Sequence, residues 1–398
     1  MNKINIIFTL VFGLSISFST AVTASQLSPG AYQQLTKVEK LIAESSWKEA
    51  KKLLSELDKN TKNSYLLALT AQYHGQISLQ QDNHKHALQH FIRAYQSGEL
   101  SKEANSQLLH AIGQLHCSVE EWLPCRQKLI TWAHQHPERV SSNDRIIIAQ
   151  SFSATENWLE AIDYSSQAIA SHSAPPLNWH RLRVAASANL KRWKQAITFQ
   201  KQLLHSFPDD PSDWRRLGAF QLMVGDEKAA LSSLRIPFAK GWLTKTRDYK
   251  QITQLFYNQG IPFKAAEVLS LGIKKEHVPG NSKNLKLLAS LWLQANEPER
   301  AIKAYQALLR VEPKPEWQSQ LARLYYQNGQ WRLAAASLLE ASQKNSDAQL
   351  RLMRAISLTH LKEFTAAKAI FRSLNNSEAT KDRAKNWLSY IDRISANQ

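Results

Sequence analysis

The stretch that decides the fold is residues 285–313, which read LKLLASLWLQANEPERAIKAYQALLRVEP. Ala289 is a small residue at a position where two helices can touch. Ala301 is a second small residue, and the aromatic Tyr305 follows it four positions later. Pro313 closes the second helix, because proline cannot continue one. The stretch therefore predicts two helices that pack against each other.

This pattern recurs along the whole chain. We call the small residue near the start of the second helix, such as Ala301, the mark of a repeat. In eight of ten repeats an apolar or aromatic residue follows the mark four positions later, and successive marks are 32 to 38 residues apart. Tetratricopeptide repeats are helix–turn–helix units with a period of about 34 residues. The sequence thus predicts an all-α fold, a right-handed helical-repeat solenoid of about ten tetratricopeptide-type repeats over residues 25–376. The ten marks are Ala50, Ala87, Cys125, Ala161, Ala196, Ala230, Ala265, Ala301, Ala334 and Ala366.

Two further columns of residues accompany the marks. Six marks have a small residue twelve positions earlier, where the two helices should touch: Gly75, Gly113, Ala149, Gly218, Ala289 and Ala322. Five marks have a tryptophan three positions earlier, at the expected start of the second helix: Trp47, Trp122, Trp158, Trp193 and Trp331. A row of tryptophans also suits the stacking of sugars or bases, but the regular spacing favours packing in the core.

The two ends of the chain fit this plan. Residues 1–24 resemble a cleavable signal peptide, with Lys3 before an apolar stretch and small residues up to Ala24 at the expected cleavage site. An uncleaved membrane anchor is the alternative. We therefore expect export to the periplasm. Residues 377–398 predict a final capping helix and a short tail, and no later stretch is long and apolar enough to span a membrane.

Composition and motifs narrow the range of functions. The formal net charge is +17. A basic surface suggests nucleic acid in an intracellular protein, but predicted export favours acidic protein segments, anionic polymers or anionic membrane surfaces. Nucleophile, phosphate-loop and zinc-site motifs are missing from the sequence, so we expect no catalytic residues and no cofactor. His86 and His90 lie one helical turn apart, yet no carboxylate or cysteine joins them, and we predict no metal site.

Several local sequences resemble those of a known family. They are residues 179–182 (WHRL), 214–218 (WRRLG), 260–266 (GIPFKAA), 321–325 (LARLY), 329–331 (GQW) and 387–391 (WLSYI). Together they are similar to periplasmic tetratricopeptide proteins encoded beside an accessory TonB–ExbB–ExbD energy-transduction system of gram-negative bacteria. The resemblance covers residues 140–392 and implies an accessory, non-enzymatic role in energy-coupled import of iron complexes across the outer membrane.

The candidate partner-binding residues follow from the repeat register. In a tetratricopeptide solenoid the first helices line a concave groove, and the residue fifteen positions before the mark should point into it. Four consecutive repeats have a basic residue there: Arg181, Arg215, Lys250 and Lys286. Neighbouring groove positions add Arg247, Lys283, Arg323, Tyr257 and Tyr326. We predict a basic groove that holds an acidic segment of a partner; the alternative is a basic face that is merely solvated.

Two functions remain open at this point. The first is a periplasmic protein-interaction scaffold for a TonB-type transport complex, whose partner is a TonB- or ExbD-type component or an acidic peptide segment. The second is an envelope assembly factor that binds an anionic polymer, such as peptidoglycan or exopolysaccharide. Neighbouring genes would separate them: a TonB or ExbD gene favours the first, and a synthase gene favours the second.

The two cysteines of the chain, Cys117 and Cys125, predict a disulfide. Cys125 is the mark of its repeat, near the start of a second helix, and Cys117 lies eight residues earlier, near the end of the first. Antiparallel helices that turn around Glu121 should place the two residues opposite each other, within bridging distance. Two buried free thiols are the alternative.

Overall fold

The computed structural model describes residues 27–344 and 347–396, so the predicted signal peptide, residues 1–24, lies outside the described residues. Within those ranges the chain forms 21 α-helices and one 3₁₀ turn at Pro137–Arg139, with no strand. None of the described helices is long and apolar enough to cross a membrane. The chain divides into two compact units, one up to Val224 and one from Gly225.

The helices of the first unit are α1 (Pro29–Ala43), α2 (Trp47–Asn60), α3 (Ser64–Gln80), α4 (His84–Gln96), α5 (Lys102–Ser118), α6 (Trp122–Gln135), α7 (Ser142–Ala154), α8 (Trp158–Ala170), α9 (Leu177–Asn189), α10 (Trp193–Ser206) and α11 (Pro211–Met223). Those of the second unit are α12 (Glu227–Ala239), α13 (Thr246–Asn258), α14 (Pro262–Lys274), α15 (Ser282–Gln294), α16 (Pro298–Val311), α17 (Pro315–Gln327), α18 (Trp331–Lys344), α19 (Ala348–His360), α20 (Phe364–Ser373) and α21 (Lys381–Ala396).

Within each unit the helices pack in consecutive pairs. In the first unit α1 packs on α2, and the pattern continues to α9 and α10. In the second unit the pairs run from α13 and α14 to α19 and α20. Three residues join the two helices of each pair, so the partners run antiparallel. The prediction of an all-α, tetratricopeptide-type helical repeat is confirmed.

The three-residue turns between first and second helices share one backbone conformation. The middle residue of each has a φ of 57° to 78°, in the left-handed region. Glycine takes this position in three turns and another residue in seven: Ser45, Asp82, Glu120, Glu156, Lys191, Gly225, Gly260, Asn296, Gly329 and Lys362. A left-handed conformation costs a non-glycine residue roughly 1–2 kcal/mol, so helix packing and not local preference holds most of these turns.

The marks lie where the second helices need a small residue. In the first nine repeats the second helix begins three residues before the mark, and every one of these marks is fully buried. The tenth second helix begins at Phe364, three residues before Ala367, which is fully buried, whereas Ala366 is exposed. The prediction of Ala366 as the tenth mark is therefore wrong by one residue. Each alanine precedes an apolar residue by four positions, and only the burial of Phe371 identifies the correct one.

The predicted capping helix is α21, which covers the end of the last pair. Ala384 and Ile391 of this helix are fully buried in an apolar cluster that includes Phe371 and Leu374. The ring of Trp387 stacks on that of Phe371, with centroids 6.3 Å apart and planes within 3°. The last pair therefore does not leave its apolar face open.

The predicted disulfide is present. Cys117 at the end of α5 is bonded to Cys125 at the start of α6, and their Cα atoms are 5.0 Å apart. Both residues are buried, with at most 1% of either exposed. The bond joins the two helices of the third repeat across the turn that contains Glu121.

Candidate partner-binding surface

The densest group of predicted binding residues lies on α13 and α15 in the second unit. Arg247, Lys250 and Tyr257 follow α13 at spacings of three and seven residues, which places them on one face of that helix. Lys283 and Lys286 occupy on α15 the register positions that Arg247 and Lys250 occupy on α13. All five side chains are exposed.

Two of these cations have little local compensation. Lys250 and Lys283 form no ion pair with any residue in the described ranges. Arg247 has a carboxylate nearby, because its Nε lies 3.7 Å from Oδ1 of the buried Asp248. Lys250 and Lys283 therefore present unshared positive charge, and this is the property that would attract an acidic partner segment.

Lys286 belongs to a small mixed cluster. Its Nζ lies 4.7 Å from the ring centroid of Trp317, a cation–π contact between α15 and α17. Nε1 of Trp317 in turn donates a hydrogen bond of 3.2 Å to Glu312, which also pairs with Lys314 at 2.9 Å. Hydrogen bonds from Lys314 and Trp317, together with the charges of Lys314 and Lys286, lower the pKa of Glu312. The positive charge of Lys286 is thus partly compensated by contacts within the protein.

Arg323 and Tyr326 on α17 are half-buried and already have partners. Nη2 of Arg323 donates to Oδ2 of Asp347 at 3.0 Å, which ties α17 to the N-terminus of α19. The ring of Tyr326 packs edge-on against Trp331, with centroids 5.7 Å apart. Arg323 therefore joins one repeat to the next, and the contact of Tyr326 with Trp331 joins the two helices of one repeat.

In the first unit Arg181 is bound to two carboxylates. Its Nη2 lies 2.5 Å from Asp210 and 2.7 Å from Asp213, so it ties α9 to α11. Burial alone would lower the pKa of Arg181, but hydrogen bonds to Asp213 and Asp210 and their charges raise it. Arg215 on α11 is half-buried. The structure therefore places Arg181 in an ion-pair network and not on a freely charged face.

The contacts of Arg181 and Lys286 follow one rule that the sequence analysis missed. The residue fifteen positions before one mark contacts the residue seventeen positions before the next mark. Three contacts within the units obey it: His110 with Asp144 at 2.6 Å, Arg181 with Asp213 at 2.7 Å, and Lys286 with Trp317 at 4.7 Å. The predicted groove position thus also fixes one repeat against the next.

The second position in this rule, seventeen residues before the mark, is occupied by a buried polar residue in several repeats. Four repeats have Asp or Asn seventeen positions before the mark, and each is at most 3% exposed: Asp144, Asp213, Asp248 and Asn284. Burial alone would raise the pKa of Asp144, but hydrogen bonds from His110 and Ser141 outweigh it and lower that pKa. An alignment of the repeats would have shown, from sequence alone, that Asp or Asn recurs seventeen positions before the mark.

One of the two histidines considered as metal ligands, His90, has another contact. The ring of His90 stacks on that of His74, with centroids 5.1 Å apart. Burial, and then the charges of His74, Arg93 and His86, lower the pKa of His90 to about 4. No group of three or more His, Cys, Asp or Glu side chains in the described ranges is arranged to hold a metal ion.

Comparison with known proteins identifies the repeat type. The sequence profile of the tetratricopeptide repeat matches residues 319–377. No curated protein sequence matches the chain. Among solved structures, a tetratricopeptide repeat protein from Parabacteroides merdae is 13% identical, with 75% of this chain and 99% of that one covered and a TM-score of 0.35.

Two further solved structures have similar scores. The C-terminal part of a tetratricopeptide repeat-containing protein from Cytophaga hutchinsonii is 13% identical, with 70% and 95% covered and a TM-score of 0.39. YrrB, described as a tetratricopeptide protein with an unusual peptide-binding site, is 14% identical, with 48% and 94% covered and a TM-score of 0.34. All three scores are below 0.5, so these similarities establish nothing about function. The profile match over residues 319–377 and the consecutive helix pairs show a helical repeat of the tetratricopeptide type.

Proposed function

We propose that the chain is a non-enzymatic periplasmic scaffold that serves a TonB-dependent system for the uptake of iron complexes. The scaffold role is supported by the repeat type and by the consecutive helix pairs. The periplasmic location is supported by the signal-peptide character of residues 1–24, and the TonB link by the local sequences in residues 140–392. The partner is a protein of the transport complex that carries an acidic segment.

The exposed cations of α13 and α15 carry this proposal. Arg247 and Lys250 on α13 and Lys283 and Lys286 on α15 form two parallel basic stripes in the same register. Each stripe ends in an apolar side chain further along the helix, Tyr257 with 43% and Leu293 with 38% of its surface exposed. An extended segment with acidic residues at one end and an apolar residue about 10 Å away matches this order of side chains.

The test compares two double variants in the mature chain. Lys250→Glu with Lys283→Glu reverses the two unpaired charges on the first helices. Lys228→Glu with Lys303→Glu makes the same change in net charge on exposed positions of second helices in the same unit. Binding of the purified periplasmic parts of TonB and ExbD is measured by fluorescence anisotropy at two salt concentrations. We expect the first variant to weaken binding at least about tenfold and the second less than about twofold.

Three outcomes would decide against this proposal. Equal weakening by both variants would indicate non-specific attraction to a basic surface. Unchanged binding by the first variant would mean that the basic side chains of α13 and α15 contact solvent and not the partner. Absence of binding to TonB and ExbD, together with charge-dependent sedimentation with peptidoglycan, would favour the envelope assembly function.

A further inference from the structure

Arg183 in the first unit breaks the apolar pattern of its repeat position. Six other repeats have a buried aliphatic side chain thirteen positions before the mark: Ile112, Ile148, Leu217, Ile252, Leu288 and Leu321. Arg183 occupies this position on α9, before the mark Ala196, and only 6% of it is exposed. The remaining three repeats have Lys37, His74 and Arg354 there, and all three are more exposed than Arg183. A buried guanidinium group therefore lies where six other repeats place a buried alkyl group.

Among the described residues, Arg183 has no carboxylate counterion. Its Nη2 donates a hydrogen bond of 2.7 Å to Oε1 of Gln202, and its Cζ lies 4.1 Å from the ring centroid of Phe199. Its Nε is buried and has no hydrogen-bond partner among the described residues. Burial lowers the pKa of Arg183 to about 10, and no carboxylate counteracts that shift. A buried cation without an anion destabilises a fold, so its presence calls for a compensating role.

Arg183 lines a cavity of about 540 Å³ that lies between α8, α9 and α10 and is largely open to solvent. The wall includes a second buried polar group, His180, of which 5% is exposed and whose Nδ1 has no hydrogen-bond partner among the described residues. Lys201 and His205 on α10 stand at the exposed rim. The lining contains no aspartate or glutamate. Its volume is within the range of about 300–1,000 Å³ that small-molecule sites occupy.

The groups around this cavity are complementary to an oxyanion. A guanidinium is planar and donates paired hydrogen bonds that fit a carboxylate or a phosphate. Burial, and then the charge of Arg183, lower the pKa of His180 and so favour its neutral imidazole, which can donate or accept a hydrogen bond. Lys201 adds an exposed positive charge at the entrance, where a second acidic group of a ligand would lie.

We propose that this cavity binds a small organic anion, whose carboxylate or phosphate group takes the place of the missing counterion of Arg183. The apolar Ile169 and Ala170 beside it would contact the carbon skeleton of the ligand. This site is separate from the exposed cations of α13 and α15. Its test is therefore independent of the proposed function.

The experiment titrates the mature chain with inorganic phosphate and, separately, with glutarate, by isothermal calorimetry in chloride buffer of matched ionic strength. Arg183→Leu restores the aliphatic side chain that Leu217 supplies at the same repeat position, so this variant should fold. Lys194→Gln, at an exposed position about 10 Å or more along α10 from Lys201, removes one positive charge outside the cavity and serves as control.

We expect saturable one-to-one binding of at least one of the two anions. Arg183→Leu should weaken that binding at least about tenfold and Lys194→Gln less than about twofold. The stronger of the two probes identifies the acidic group that the site prefers. Absence of saturable binding of both anions up to about 10 mM would overturn the proposal, as would binding that Arg183→Leu leaves unchanged.

The stability of Arg183→Leu without ligand gives a second measurement. Because the variant removes a buried unpaired charge, we expect its melting temperature to equal or exceed that of the wild type. A lower melting temperature, together with no anion binding by the wild type, would mean that Arg183 serves only to pack on Phe199.

Discussion

At the scale of single residues, Gly75 shows how one missing atom sets the distance between two helices. A Cβ atom built on Gly75 of α3 would overlap the ring of Phe91 on α4. We expect Gly75→Ala to lower the free energy of unfolding by about 1–3 kcal/mol, because the ring or the helix must shift. Thermal unfolding followed by circular dichroism measures the effect.

Gly30 provides the matched control for that substitution. It also lies in a helix, α1, but a Cβ there would meet no atom within 4 Å. Alanine has a higher helix propensity than glycine, so Gly30→Ala should leave the protein as stable as before or slightly more stable. Equal destabilisation by the two substitutions would show that the contact with Phe91 is not the cause.

Single residues also show how much of the candidate site could be predicted from the sequence. The marks were predictable because small size at a fixed period is visible in the residue types themselves. The partners of Arg181 were not, because the sequence does not show which of many carboxylates a long side chain reaches. Asp213 lies in another helix, 32 residues further on. The sequence showed a basic residue at the same position in successive repeats. Whether each of these charges is paired depends on which side chains of the neighbouring repeat lie beside it.

At the scale of secondary-structure elements, the starts of the second helices were the most predictable feature. Five of them begin at the tryptophans that precede the marks. The turns were less predictable, since only three of the ten left-handed positions are glycine. Lys191 and Lys362 adopt this conformation although their side chains disfavour it, and only the packing of the helices on either side requires it.

The disulfide between α5 and α6 is a second feature at this scale, and its contribution is testable. Cys117 and Cys125 enclose a short loop, for which loss of chain entropy in the unfolded state predicts a stabilisation of about 2–3 kcal/mol. The double variant Cys117→Ala with Cys125→Ala keeps a small residue at the mark, where nine other repeats have alanine. We expect it to fold with a lower melting temperature.

Two measurements check the role of the disulfide directly. Alkylation of the unreduced, denatured wild-type chain should add no mass, whereas two alkylated thiols would show that the bond does not form. Addition of a reductant should lower the melting temperature of the wild type and leave that of the double variant unchanged. An equal effect on both proteins would contradict a stabilising role for the bond.

At the scale of the whole molecule, a stack of helix pairs must cover its last apolar face. In this chain α21 does so for the last pair: Ala384 and Ile391 are fully buried, and Trp387 contacts Phe371 and His360. Each repeat of a solenoid is stabilised mainly by its neighbours, so loss of a terminal cap exposes the core of the adjacent pair. The sequence analysis predicted a capping helix within residues 377–398.

Removal of α21 should therefore destabilise the end of the second unit. A chain that ends at residue 380 would expose Phe371 and Leu374, of which at most 1% is now accessible. We expect it to bind more 1-anilinonaphthalene-8-sulfonate, to unfold at a lower temperature and to aggregate more readily, because an open apolar patch at a solenoid end is not solvated well. A chain that ends at residue 396 keeps α21 and is the control.

A single substitution distinguishes loss of the packing of α21 from the effect of merely shortening the chain. Trp387→Ala removes the ring that stacks on Phe371, whereas Tyr390→Ala removes a ring that is 43% exposed on the same helix. Trp387 is partly buried against the apolar cluster. Loss of a fully buried aromatic side chain costs about 3–5 kcal/mol, so Trp387→Ala should cost up to that amount and reproduce part of the effect of the truncation. Tyr390→Ala should cost much less. If both variants unfolded like the wild type while the truncated chain aggregated, the cap would act only by covering the backbone of the last pair.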